Sequence, residues 1–481
     1  MAGILPADPT PWTKRRDAGL SDVTMRRTIG IVTKRFSTGQ HNVFSGYPEG
    51  SLARQAAVVA KRQAIRDMDK LWPRFRANVE ARGGRTYYAR DAQEAVTIVV
   101  KIAQNHQVQR VIKTKSMLTE ELQLNHALET QGVLVVETDL GEYIIQRAQE
   151  TPSHILAPAA HKNRDQIETL FRDDAGGRGI APPQSNDAQS LTLYARQCLR
   201  EEFLQADMGI TGGNFAVAET GTVVLITNEG NADMVTTLPQ ILVSVVGIEK
   251  IVDTWENLGV LIQQPAMNGI GQRLSSYTTF VSGPRRESMV EGPAEWHVVV
   301  VDNGRHLLRD TVFEDVLSCI RCGACLNVCP VFRQVGGHAY GSVYSGPIGI
   351  VETPLLTDWS ILPELPTVAC TVCHACGEAC PMEIDLPHHV IQLRQEKVRR
   401  RLVAASVTRS YRWWAQLWST AGGYRRSLRW ARWGQRLYQR QGTLRSAPGI
   451  ARGWFMSRNM PPVAAETFHE WWDKHRMGGP S

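Results

Sequence analysis

Between residues 85 and 148 the apolar positions switch repeatedly between two periods, and each switch marks a new element. RTYYA at 85–89, RVIKT at 110–114 and VLVVET at 133–138 are short β-branched and aromatic runs, which predict strands. Each is followed by a segment with helical spacing: DAQEAVTIVVKIAQN, TEELQLNHALETQ and DLGEYIIQ. Strand and helix in alternation predict βαβ units, hence a parallel sheet with helices on its faces. From 209 to 252 the pattern changes to short strands between Gly-rich turns, ending in the apolar run LVSVVG, which reads as a buried strand. Beyond Pro381 the segment LPHHVIQLRQEKVRRRL has helical apolar spacing at Val390, Ile391 and Leu393. Further on, Trp414 with Trp418, and Trp430 with Trp433 and Leu437, recur at helical intervals among arginines. Gly422 and Gly423 are expected to break that stretch into two basic amphipathic helices.

Composition narrows the class. A chain of 481 residues, 43% hydrophobic and 21% charged, is long enough for about three domains. Its 40 Gly and 24 Pro are too few for a collagen-like or wholly disordered chain. Apolar runs such as Val298 to Val301 are far too short to span a bilayer. The N-terminus carries Pro6, Pro9, Pro11 and a basic pair but no apolar region with a cleavage site, so a cytoplasmic protein is expected. Residues 397–460 hold fifteen Lys and Arg and no acid, more than the whole chain's net +7, so an acidic body carries a basic tail. Eight of the 13 Trp fall in 413–472. A Trp and Leu face opposed by Arg suits peripheral contact with an anionic membrane through residues 404–455, at the inner face of the cell membrane. The competing reading packs that face on protein; no nucleic-acid fold accompanies it.

The cysteines carry the chemistry. CIRCGACLNVCP places Cys319, Cys322, Cys325 and Cys329 at C-x2-C-x2-C-x3-C before Pro330, and CTVCHACGEACP repeats the spacing with Cys370, Cys373, Cys376 and Cys380 before Pro381. Four cysteines in eleven residues are too crowded for a zinc ribbon and suit [4Fe–4S] clusters. In the two-cluster arrangement the fourth Cys of each run serves the other cluster. Cys319, Cys322, Cys325 and Cys380 are then expected to hold one centre, and Cys370, Cys373, Cys376 and Cys329 the second. Gly323, Ala324, Ala375 and Gly377 leave room for backbone amides to point at sulfur. Cys198, alone in AQSLTLYARQCLREEF, reads as a buried hydrophobe.

Candidate substrate contacts come from the α/β region. The Gly-rich turns gather Thr211, Gly212, Gly213, Asn214, Glu219, Thr220, Gly221, Asn228, Glu229 and Asn231, a set able to hold an oxyanion, or simply to make turns. Lys113, Lys115 and Ser116 follow a parallel strand, where ligands of open sheets bind. Arg285 and Arg286, close in sequence to Glu295 and His297, offer a carboxylate clamp or a surface pair. His338 and Tyr340 lie between the cysteine runs and either shape the cluster environment or pack. No GxGxxG, Walker, HExxH or GxSxG motif sits in a suitable setting. Two-electron oxidation of an organic substrate needs a two-electron acceptor, whereas [4Fe–4S] centres pass single electrons, so a relay is expected here and a flavin or other two-electron cofactor only in a partner.

IKTKSMLTEELQLNHALETQGVLVVETDLGEYIIQ, ADMGITGGNFAVAETGTVVLITNEGNADMVTTLP, VVGIEKIV and CIRCGACLNVCPVFRQVGGHAYGSVYSGPIG resemble the lactate utilization protein B family, from about Asn42 to about Arg399. The resemblance implies a LUD domain of the sugar-isomerase and CoA-transferase-like α/β type, then a ferredoxin domain. The long linker between the cysteine runs is similar to the α-helical ferredoxin domain of succinate dehydrogenase iron–sulfur subunits. The domains expected are an N-terminal arm and helix (1–70), a LUD α/β domain (71–304), an α-helical two-[4Fe–4S] ferredoxin domain (305–400) and basic Trp-rich helices (401–481). Glu219 resembles the nucleophilic carboxylate position of CoA-transferase-like folds. The implied role is iron–sulfur subunit of a complex oxidising L-lactate to pyruvate and passing electrons to the respiratory chain. The implied partners are a second LUD protein and a cysteine-rich protein of the heterodisulfide-reductase type. The family's second run commonly reads SSLCGAC, with serine where this chain has Cys370 and glycine where it has His374. That departure keeps open a paralogous subunit for another 2-hydroxy acid or a sulfur compound, and a non-enzymatic redox sensor is the remaining alternative.

Overall fold

The computed structural model describes residues 7–47, 49–357, 359, 362–440, 442–446, 455 and 458–476; Pro6 and part of the expected tail lie outside the described residues. Ten short strands follow one another in the first 301 residues: β1 (Arg85–Ala89), β2 (Arg110–Lys113), β3 (Leu134–Glu137), β4 (Met208–Thr211), β5 (Phe215–Val217), β6 (Thr222–Thr227), β7 (Ile241–Gly247), β8 (Ile251–Val252), β9 (Tyr277–Val281) and β10 (Glu295–Val301). Six of them pair in parallel in the order β1-β10-β7-β4-β2-β3. The four valines of β10 explain how an unbroken apolar run becomes a strand. Val298 and Val300 enter one core and Val299 and Val301 the other, so both faces of the sheet are covered. The helix Ala92–Asn105, capped by the Asp91 side chain on Glu94 N, buries Ala95, Val99 and Ile102, as its spacing predicts.

The Gly-rich segment builds a second sheet, ordered β8-β5-β6-β9, in which β5–β6 and β6–β9 are antiparallel and β5–β8 parallel. Its apolar residues join one continuous core that runs on through the cysteine region and includes Phe215, Val252, Leu326 and Phe332. Residues 305–399 are helical, with no strand among the described residues there; the α-helical ferredoxin class is therefore the one observed. In the Leu386–Arg399 helix the inward face is His389, Val390 and Leu393, whereas Ile391 is exposed. His389 takes its place because Asp315 lies 2.6 Å from its Nε2.

The N-terminal residues are more ordered than an arm and one helix. They form Trp12–Ser21, Val23–Gly46 and Gly50–Arg66, leading into Met68–Ala81. Val23–Gly46 is capped by Asp22 on Met25 N and packs both on the Gln264–Gly269 helix and on the helices Ala324–Val328 and Phe332–Val335. Trp12 stacks edge-on against Tyr340 at 5.8 Å, and buried Arg15 donates from Nε to Ala339 O at 2.9 Å. By contact density the chain to Arg399 is one compact unit and Arg400 onward another.

The second unit contains the helices Ala405–Trp418, Ala421–Gln435 and Phe468–Arg476. Gly422 and Gly423 do not break the chain. The break is at Ser419 and Thr420, where the Thr420 hydroxyl accepts from Gly423 N, and the glycines sit in the following first turn. A Cβ on Gly423 would lie 2.0 Å from Leu417 O, so the close turn requires glycine. Trp413, Trp430, Trp433 and Leu437 are exposed, and the Trp414 and Trp418 rings meet at a tilt with centroids 5.2 Å apart. No helix among the described residues is long and apolar enough to cross a membrane.

Candidate functional site

The two cysteine runs fold alike. In each, the residue two after the first cysteine is left-handed (Arg321, φ 61°; Val372, φ 54°), and so is the one after the second (Gly323, φ 71°; His374, φ 65°). Each loop then enters a five-residue helix, Ala324–Val328 or Ala375–Ala379, closed by Cys329 or Cys380 in extended conformation. The two helices pack together, and this crosses the runs. Cys380 lies beside Cys319 and Cys322 of the other run, and Cys325 faces all three as well as Cys376. Cys376 in turn faces Cys370, Cys373 and Cys329. The eight thiols thus gather in two groups of four, each with its fourth member from the other run.

Burial raises seven of these thiols: it pushes Cys380 up to about 11 and Cys376 up to about 12, and raises Cys319, Cys322, Cys325, Cys329 and Cys370 as well. Soft sulfurs brought together this closely, away from water, ionise only around a strongly electropositive centre, and iron of an iron–sulfur cluster meets that requirement. Backbone donors are in place for the resulting charge. Phe332 N points at Cys329 Sγ (3.5 Å), Val372 N at Cys370 Sγ (3.3 Å) and Ala324 N at Cys322. The buried Tyr340 hydroxyl lies beside Cys329. His338 is exposed and bonds Thr151 O (2.7 Å) instead. The quartets differ in access: Cys373 is exposed, whereas Cys319, Cys322, Cys325 and Cys380 are buried or half-buried. Cys198 is core filler beside Tyr143 and Tyr194.

A cavity of about 540 Å³ opens at the C-terminal ends of β2, β3, β4 and β7, where open parallel sheets bind ligands. Its lining includes Thr114, Lys115, Ser116, Asp139, Gly212, Gly213, Asn214, Asn228, Glu229 and Asn231. Gly212 is required there, since a Cβ would lie 2.7 Å from Ser116 Oγ. Ile320 and Arg321, from the loop between Cys319 and Cys322, and Tyr344 complete the wall. Cavity and first cysteine quartet therefore share one loop.

Of the candidate contacts Lys113, Lys115, Thr211, Asn214, Glu219, Asn228 and Arg285, the cavity takes in Lys115, Asn214 and Asn228 and leaves out the other four. Lys113 is buried in an internal ion pair with Glu137 (2.7 Å) and Glu120 (3.0 Å); burial disfavours its charge, yet these carboxylates outweigh it and hold its pKa above the usual lysine range. Thr211 is spent on Ser244 Oγ (3.0 Å) inside the sheet. Glu219 sits at the β5–β6 turn, accepting from Trp255 N (3.0 Å). Arg285 is on an exposed loop leading to the N-terminal end of β10, the opposite edge of the sheet, where Arg85 occupies Glu295 (2.5 Å).

Several residues at this site escape sequence reasoning. Arg305 binds Glu121 (2.8 Å) and Glu249 (2.9 Å) beneath the cavity, and Arg321 pairs with Glu352 and lies 4.2 Å over the Tyr344 ring. Burial would raise Glu249, but Arg305, Lys250 and Arg321 outweigh it and bring it down to about 2. Lys250 donates to Cys319 O at 2.8 Å. Buried His154 accepts at Nδ1 from Leu156 N (3.0 Å), which leaves the proton on Nε2 facing Asn327 Oδ1 (3.1 Å); burial and the nearby Lys115 bring it down to about 4. These residues belong to ordinary-looking segments, and only the convergence of distant stretches gives them meaning.

A LUD domain matches residues 72–301, and a 4Fe-4S dicluster domain matches residues 315–384. Lactate utilization protein B of Oceanobacillus iheyensis is 39% identical over 471 residues, 97% of each chain. A protein of Escherichia coli named as the uncharacterized electron transport protein YkgF is 37% identical over 467 residues, again 97% of each. A crystal structure of a duf162 family protein from Deinococcus radiodurans aligns with 18% identity and a TM-score of 0.28, covering 49% of this chain and 98% of that one.

Proposed function

Since the chain belongs to the lactate utilization protein B family, we propose that it is the iron–sulfur electron-transfer subunit of a multi-subunit complex that oxidises L-lactate to pyruvate. The observation that carries this reading is the pair of crossed cysteine quartets lying next to a cavity of the LUD domain. Cys319, Cys322, Cys325 and Cys380 would hold one [4Fe–4S] cluster and Cys370, Cys373, Cys376 and Cys329 the second. Such clusters, when bound, supply one-electron transfer at potentials tuned by hydrogen bonds and nearby charge.

The chain's own residues supply that tuning. Arg321 and Lys250 lie close to Cys319 and stabilise negative charge on its sulfur. The amides of Val372 and Phe332 and the Tyr340 hydroxyl serve the second quartet, while Leu326, Phe332 and Met382 keep water out. Electrons would enter at the first quartet, which shares a loop with the cavity, and leave at the exposed Cys373. The two-electron cofactor, a flavin or its equivalent, is assigned to a partner, and the acceptor beyond is the respiratory chain. The partners expected are a second LUD-domain protein and a cysteine-rich protein of the heterodisulfide-reductase type, with residues 404–455 making peripheral contact with the membrane. A second reading, a paralogous subunit acting on another 2-hydroxy acid or a sulfur compound, is favoured by one feature: the full eight-cysteine set with Cys370 and His374.

Anaerobic purification with copurifying partners, iron and sulfide counting, and addition of L-lactate under EPR tests the proposal. About eight irons with lactate-reducible signals are expected. Eight irons reduced by dithionite and by another hydroxy acid, but not by lactate, would transfer the role to the second reading, and zinc in place of iron would refute both.

A further inference from the structure

The cavity at the strand ends contains polar groups whose bonding capacity the protein leaves unused. Its other lining cations are engaged: Lys162 with Glu150 (2.6 Å), Arg305 with Glu121, Arg321 with Glu352 and Lys250 with Cys319 O. Lys115 has neither a hydrogen bond nor an ion pair among the described residues. Burial pulls its pKa below the usual lysine range despite Asp139, Glu142 and Glu229 nearby, so its charge is held at a cost that a bound anion would offset. Two further lining groups, both more than nine-tenths buried, lack partners: Thr114 Oγ1 and Asn231 Oδ1. Orphaned buried polar atoms are rare and call for an occupant.

Glu229 completes the set. One oxygen, Oε2, accepts from Leu140 N at 3.1 Å, and the other is free for a ligand. Burial, followed by the neighbouring Asp139 carboxylate, lifts it to about 7, while Lys115 works the other way. A free cation, a hydroxyl donor and two acceptors in one cavity match a molecule with a carboxylate at one end and a hydroxyl beside it.

We propose that this cavity binds a small 2-hydroxy carboxylate, with Lys115 and Thr114 on the carboxylate and Glu229 and Asn231 facing the hydroxyl, on the wall completed by Ile320 and Arg321. The inference rests on the electron-transfer reading above and adds to it a place on this chain where the substrate binds. It is a statement about binding: the oxidation itself takes place once a two-electron acceptor is supplied by a partner. A cavity of about 540 Å³ exceeds what a three-carbon acid fills, and clefts of this size accommodate cofactor-sized molecules. The space towards Ile320 and Arg321 is thus left for that acceptor.

The test is calorimetric titration of the anaerobic, cluster-loaded full chain with L-lactate, with propionate, which lacks the hydroxyl, and with inorganic phosphate. L-lactate is expected to bind at least tenfold more tightly than propionate. Lys115→Met should weaken both at least tenfold, with iron content and the EPR of the dithionite-reduced clusters confirming that the variant is folded. Glu229→Leu should abolish the preference for lactate over propionate. In the unaltered chain affinity should fall as pH rises through about 7, because Glu229 then adds a negative charge beside the bound carboxylate; Asp139 and Lys115 face the same group and are common to both chains. Glu229→Gln should flatten that profile. No binding of lactate, binding indifferent to Lys115→Met, or phosphate binding as tightly as lactate would each overturn the inference. The two proposals fail separately: lactate-reducible clusters in the assembled complex without binding here would remove only this site, whereas lactate binding here with clusters that lactate never reduces would remove only the relay.

Discussion

Cys380 stands at the end of a five-residue helix in its own run, yet its thiol faces Cys319 and Cys322, some sixty residues earlier in the chain. Its ligand role can be separated from its position in the sequence. In Cys380→Ser the quartet of Cys319, Cys322 and Cys325 loses its fourth sulfur, so iron should fall from about eight to about four per chain. The EPR spectrum should match that of Cys322→Ser and differ from that of Cys373→Ser. A match to Cys373→Ser would mean that each run serves its own cluster. The same scale shows where spacing is informative and where it is silent. Position 374 is left-handed, a conformation that favours glycine, and glycine is what the resembled family carries there; His374 adopts it at φ 65°, with the loop geometry repeated from Gly323. Lys113 and Lys115 look equivalent in sequence, but Lys113 is the last residue of β2 and is buried in the Glu137 pair, whereas Lys115 lies past the end of the strand and lines the cavity.

At the scale of elements, the parallel strands were legible because both signals they give are local: β-branched composition within the strand, and a change of period at its end. β1 spans the run RTYYA residue for residue. The N-terminal helices were not legible to the same degree. Val23–Gly46 owes its stability to two distant partners, the Gln264–Gly269 helix and the helices of the first cysteine run, and a propensity reading sees neither. That dependence makes a prediction. Gly271, with φ 74°, follows the Gln264–Gly269 helix and meets the backbone of Gly39 within Val23–Gly46, so that an added Cβ would lie 2.2 Å from Gly39 C. Gly271→Ala should force the two helices apart and lower stability by about 1–3 kcal/mol, read as a drop in the urea midpoint at unchanged slope. Cluster loss in air should accelerate in parallel, since Val23–Gly46 also covers Ala324–Val328. An unchanged midpoint would show that the contact carries no load.

At the scale of the whole molecule, the chain divides into two units of opposite character, and their difference is itself an argument. The first, ending at Arg399, buries its apolar residues in cores that also enclose the thiols. In the second, the helices Ala405–Trp418 and Phe468–Arg476 bury no residue at all, while Trp413, Trp414, Trp418, Trp430, Trp433 and Leu437 are exposed. The arginines of the helices Ala405–Trp418 and Ala421–Gln435, among them Arg409, Arg412, Arg425, Arg426 and Arg429, lie in a stretch without a single acid. Exposed Trp is costly in water and favourable in the headgroup zone of a bilayer, and each Arg near an anionic surface adds about 1 kcal/mol of attraction. The full chain is therefore expected to float with vesicles containing phosphatidylglycerol and to stay down with neutral phosphatidylcholine vesicles, whereas a chain ending at residue 403 should stay down with both and keep its iron. Because the attraction is screened within about 8 Å at physiological salt and within about 3 Å at 1 M, flotation should weaken steeply as salt is raised, leaving the smaller contribution of the Trp face. A full chain that ignores anionic vesicles at low salt would assign the exposed Trp face to a protein partner.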